Sequence, residues 1–169
     1  MQKESDLNIL VKQGFSDLFS ELDSSHKKYG HPQSVENFIY HLIDNPKVNS
    51  DRNRKLQELG EERMKKKLLD FFSEARNSKL NKDLSIELYR NHIYYIGSFM
   101  SKYYGFSATG GKIMFFAILI ALTIGVILDT ILHLFGLIQF PFATIIVLLV
   151  FLMRRINKFR NKKLFGLYY

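Results

Sequence analysis

The chain has no cysteine. Disulfides, thiolate metal sites and cysteine nucleophiles are therefore excluded, while either side of a membrane stays open to it. It also has almost no charge over one long stretch. Residues 113–153 are 41 positions without Lys or Arg and with a single acid, Asp129. Proline is scarce, at three residues, and each falls where an apolar pattern breaks, at Pro32, Pro46 and Pro141. No strand alternation appears anywhere, and the opening MQKESDLNILVKQ has no apolar core of signal-peptide type.

Enzyme signatures are equally sparse. There is no GxSxG elbow, no HExxH and no paired metal-ligand spacing among His26, His31, His41, His92 and His133. Residues 105–112, GFSATGGK, fail as a phosphate loop. Five residues separate Gly105 from Gly111 where the motif needs four, and Ile113 follows Lys112 where Ser or Thr should stand. The acids are interleaved with Lys and Arg along the predicted helices, as on a solvated surface. The expectation is a non-enzymatic protein with no catalytic residues, no cofactor and no metal.

What is present divides in two. Residues 1–111 carry 17 Lys/Arg against 15 Asp/Glu, whereas residues 112–169 carry 7 against 1, so the net charge of +8 resides mostly at the C-terminal end. A basic excess beside an apolar run points to a membrane surface before nucleic acid. The aromatic run Tyr94, Tyr95, Phe99, Tyr103, Tyr104 and Phe106 lacks the basic groove that base stacking needs, and reads as core plus an interfacial belt.

A single helix of 41 residues would measure ~60 Å, twice the ~30 Å of a hydrocarbon core. The pattern therefore predicts a transmembrane hairpin over residues 112–153, with helices at about 112–132 and 138–153 and a reversal between Gly136 and Pro141. The segment after it, RRINKFRNKK, has six basic residues in ten. The positive-inside rule then expects both termini in the cytoplasm, with the protein integral to a plasma or inner membrane. The basic and aromatic tail, residues 154–169, is expected at the headgroup layer. Arg154, Arg155, Lys158, Arg160, Lys162 and Lys163 are its candidate contacts to anionic lipid. Thr123, Asp129, Thr130 and His133 are the candidate polar residues of a hairpin tip or pore. Asp129 and His133, four apart on a helix, are spaced to meet.

Before the spans, apolar spacing predicts an antiparallel bundle of about four helices in residues 1–104, joined to the membrane part by a Gly-rich hinge at 105–111. Predicted helices run from about Glu4 to Lys27, from Ser34 as N-cap to Asn45, from just after Ser50 to about Asn77, and from Asn81 or Asp83 to about Tyr104. The broad stripe Leu7, Val11, Phe15, Leu18 and Leu22 is a candidate assembly face between copies. The chain thus reads as all-α: a cytoplasmic bundle, a two-helix hairpin and a basic tail. The expected function is an oligomeric membrane subunit or adaptor that assembles protomers or recruits a cytoplasmic protein. The alternative is a pore-forming or membrane-disrupting effector of defence or lysis type.

Overall fold

A computed structural model describes residues 2–46, 54–136 and 141–166. The chain is mostly helical, in the order α1 (Gln2–Glu21), a 3-10 turn (Lys27–Gly30), α2 (Pro32–Ile39), α3 (Arg54–Asn77), α4 (Lys82–Leu88), α5 (Tyr94–Tyr104), α6 (Gly111–Leu134) and α7 (Phe142–Arg160). Two three-residue strands, β1 (Ser107–Thr109) and β2 (Leu164–Gly166), pair with each other. The chain divides into two compact units. One joins residues 1–108 to 162–169, and the other is residues 109–161.

In the first unit α1 ends at Glu21, six residues short of its predicted end, because Asp23 draws the backbone away. Its Oδ1 accepts from the amides of Ser25 and His26, each at 3.0 Å, in a turn that competes with the helical ladder. The Ser25 hydroxyl first, then the His26 ring and the His26 amide, hold the Asp23 carboxyl well below the usual carboxylate range. α4 opens on Asn81, whose Oδ1 accepts from the Leu84 amide at 2.9 Å. It reaches α5 through a wider π turn at Tyr89–Ile93, and a similar turn, Tyr40–Asp44, extends α2.

Helix directions follow from the contacts. Arg76 of α3 bonds Glu21 (2.7 Å) and reaches Asp17 (3.4 Å), while Phe72 packs on Gly14. α1 and α3 are therefore parallel, not antiparallel, since α2 intervenes in the chain and returns it. α3 and α5 are antiparallel. Glu61 accepts from Tyr104 at 2.5 Å, and Glu74 meets His92 at 2.7 Å.

The core of this unit contains Val11, Leu18, Val35, Phe38, Leu42, Leu68, Phe71, Leu88, Ile93, Ile96 and Met100, each at most 1 % exposed. Val11 and Leu18 belong to the stripe expected as an assembly face. Phe15 and Leu22 pack against the same core and Leu7 is half-buried. The stripe is thus occupied within the protomer, chiefly by α3, because a helix this amphipathic buries its apolar face against the nearest available one.

Two further expectations change here. The segment expected as a free hinge contains Phe106, which is buried, and strand β1. The tail expected at the headgroups instead returns to the bundle: Leu164 and Phe165 are 5 % and 3 % exposed. Residues 167–169, also assigned to that tail, lie outside the described residues. The physical reason is shared. Phe106 and Phe165 each pack tilted against Phe38 of α2, with centroids 5.7 and 5.9 Å from it, so both segments are drawn to the same apolar face.

In the second unit α6 and α7 lie side by side. One helix, Ile113–Leu134, is long and apolar enough to cross a membrane, with mean hydropathy 2.5. α7 falls short of the two-span expectation because its apolar run, Phe142–Met153, is only 12 residues before Arg154 and Arg155. Residues 137–140, where the reversal was expected, lie outside the described residues.

Candidate functional site

The α6–α7 seam is built on small residues. Ala121 and Gly125 are the buried positions of α6, one helical turn apart, with Ala117 half-buried a turn earlier. Such spacing lets two backbones approach closely. A methyl added at Gly125 would sit 2.6 Å from the Thr144 Cα, which is backbone and cannot yield. No larger residue fits while the helices keep this distance.

One turn further along the same face stands Asp129. Its Oδ1 accepts from the Ala143 amide at 2.8 Å. Its Oδ2 accepts from the Thr144 amide at 2.9 Å and from the Thr144 hydroxyl at 2.5 Å. These are first-turn groups of α7. A helix start leaves amides without intrahelical acceptors, and Pro141, the capping residue, contributes no side-chain bond. Asp129 therefore caps α7 from the neighbouring helix, and its charge faces the positive end of the α7 dipole. A carboxylate in an apolar run is explained by the amides it must satisfy.

Two of the other tip and pore candidates, Thr123 and Thr130, bond within their own helix. The Thr123 hydroxyl donates to the Leu119 carbonyl at 2.9 Å, and that of Thr130 to the Val126 carbonyl at 2.8 Å, each within α6. His133 is exposed, and both oxygens of its expected partner, Asp129, point to α7. Thr144 was the participant to be found. Its signal was present as a hydroxyl in the first turn of a helix that has no cap of its own.

Much of the remaining surface of α6 and of the first three turns of α7 is apolar and exposed. Phe115, Phe116, Ile120, Val126, Ile127, Ile146 and Leu149 are each more than half exposed, and only 11 % of the most apolar stretch of α6 is buried. The core helix of a soluble protein would show the opposite.

The basic residues divide into two groups. Arg154 and Arg160 are exposed on α7, with Arg155 and Lys158 half-buried. Lys162 instead pairs with Glu36 at 3.0 Å and lies over the Tyr40 ring, while the Lys163 carbonyl accepts from the Ser107 amide at 3.0 Å. Strand β2 is also held through its backbone by α2. The Asn37 Nδ2 donates to the Leu164 carbonyl at 2.7 Å. The Ser34 hydroxyl accepts from the Gly166 amide at 3.0 Å and donates to its carbonyl at 3.3 Å.

Next to this contact His31 is buried, with Nε2 2.9 Å from the Ser85 carbonyl and 3.1 Å from its hydroxyl. Burial pushes its pKa down from the ordinary value, while hydrogen bonding to the Ser85 and Gly166 backbone acts in the opposite sense. Among the described residues, no group of three or more His, Asp or Glu side chains is placed to hold a metal ion. No family model, no curated protein and no solved structure matches this chain.

Proposed function

We propose that this chain is a non-enzymatic integral membrane protein, an oligomeric subunit or adaptor, in which α6 and α7 enter the bilayer together as a hairpin. In this reading the bundle stays on the side from which both helices emerge. One observation carries it: α6 is apolar and exposed around most of its circumference, while its internal polar groups already have partners. Lipid is the solvent that tolerates such a surface, because every polar group inside it must be satisfied by the protein itself.

Two further features support the hairpin. Ser107 and Lys163 are hydrogen-bonded, so the start of α6 and the end of α7 face one compartment. The 22 residues Ile113–Leu134 of α6 give ~33 Å, a full crossing, and the 12 apolar residues of α7 give ~18 Å. The stems of Arg154 and Arg155 lengthen the second crossing by carrying their charges to the headgroups. Arg154, Arg155, Lys158 and Arg160 then contact anionic lipid on the cytoplasmic side. The pore-forming alternative draws less support, since Thr123 and Thr130 direct their hydroxyls into their own helix.

The absence of cysteine makes the test clean. Single variants Glu36→Cys, Asn161→Cys and His133→Cys are labelled with a membrane-impermeant maleimide in oriented vesicles. Glu36→Cys and Asn161→Cys should react from the same side and His133→Cys should not. Labelling of the first two from opposite sides overturns the hairpin.

A further inference from the structure

The seat of β2 has the form of a recognition site rather than of continuous core. It grips the strand by main-chain atoms, through Asn37 and Ser34 from α2 and through Lys163 paired with Ser107 of β1. It reads one side chain: the Phe165 ring lies directly on Gly97 of α5 and against Phe38. Any Cβ at position 97 would overlap that ring, so the slot exists because Gly97 has no side chain. Main-chain bonds that give affinity, combined with a pocket that gives specificity, are how extended peptides are bound at sheet edges.

The strand's tether is short and strained. Between Arg160, the end of α7, and Leu164 lie three residues, and Lys162 among them adopts φ 52°. The left-handed conformation is unfavourable for a residue with a side chain, and a strained short connection is the kind that relaxes by exchange between copies.

We propose that the α2–α5 groove is a binding site for the extended segment Leu164–Gly166, and that it takes this segment from a second copy of the chain as well as from its own. The proposal rests on the oligomeric reading above and names what joins the protomers: Phe165 of one copy in the Gly97 slot of another. The tether also sets the geometry. Three extended residues reach only ~10 Å, so the donor must lie directly beside the acceptor, as copies held in one bilayer do. Exchange keeps every bond of the closed form and releases the left-handed turn at Lys162, because the tether no longer has to reverse.

The test uses full-length chains co-expressed in one membrane. One carries an affinity tag and Glu36→Cys. The other is untagged and carries Lys162→Cys. These positions face each other at 3.0 Å across the groove, and both are surface-exposed. A short bis-maleimide should give a covalent tagged–untagged dimer. Phe165→Ala on the donor, or Gly97→Leu on the acceptor, should each abolish it.

The double variant Glu36→Cys/Lys162→Cys on one chain reports that the groove is filled. If it closes within the chain while the mixture gives no heterodimer, exchange is overturned. A heterodimer that survives both Phe165→Ala and Gly97→Leu overturns it too, because proximity alone then explains the product. Amine cross-linking of the unaltered protein is read alongside. Oligomers there without the Cys heterodimer remove the exchange and leave the oligomeric reading standing, whereas monomers there remove both.

Discussion

Replacing Phe165 by alanine should release the C-terminal strand from the bundle. The ring is 3 % exposed, lies on Gly97 and packs on Phe38 with centroids 5.9 Å apart. Truncating a phenylalanine so enclosed costs about 3–5 kcal/mol, part lost transfer energy and part residual cavity. The bonds from Asn37, Ser34 and Ser107 remain available, but water competes for each of them, and a net worth of about 1 kcal/mol apiece does not hold a strand against the loss. At about 1.4 kcal/mol per factor of ten, the population in which the strand is open should rise by about two to three and a half orders of magnitude. Hydrogen exchange in nanodiscs reads this directly. The Ser107 amide, bonded to Lys163, and the Gly166 amide, bonded to Ser34, should lose protection by that factor. Amides of α6 should not change. If Ser107 and Gly166 exchange at the original rate, the strand is not held by its aromatic anchor and the argument for the groove fails with it.

Other outcomes follow from the same geometry. Gly125→Leu should force α6 and α7 apart, since even a methyl would meet the Thr144 backbone; spin labels at the exposed positions Ile120 and Leu149 should report a longer distance, and an unchanged one refutes the close seam. Asp129→Ala should fray the first turn of α7, seen as faster exchange of the Ala143 and Thr144 amides; unchanged exchange would mean that Asp129 is no cap. His31 is buried with its pKa lowered from 6.5, so the folded bundle favours the neutral imidazole. Its contribution is present above pH 6.5 and is lost as pH falls towards the lowered value, because the unfolded chain takes the proton first. Melting of the bundle should therefore drop as pH is lowered through 6.5, and His31→Asn, which tolerates the left-handed backbone there (φ 51°), should flatten that slope.

Local order was legible wherever one face of one segment decides it. The stripe Val35, Phe38, Ile39 and Leu42 predicts α2 and its extension, Asn81 or Asp83 predicts the start of α4 to within two residues, and 41 residues without Lys or Arg predict an apolar unit of more than one helix length. The end of α1 was less legible, because the Asp23 turn and the helical ladder compete for the same amides and the sequence holds both signals. Whether Val11 and Leu18 face a second chain or α3 was not legible at all, since apolar periodicity marks a face and not its partner.

The chain's own order of residues determined that one part forms amphipathic helices, that another holds a helix long and apolar enough to cross a membrane, that no thiol chemistry is open to it, and that its positive charge gathers at one end. Tertiary structure alone decided the uses of particular residues. Asp129 became the cap of a helix that begins 13 positions later, Gly97 the floor of a slot for Phe165, and the basic tail in part a strand of the bundle. The physical reason is range. Propensity and hydropathy act within a turn or a span of the chain, whereas an unsatisfied amide or an empty slot is answered by whichever group the folded chain brings there.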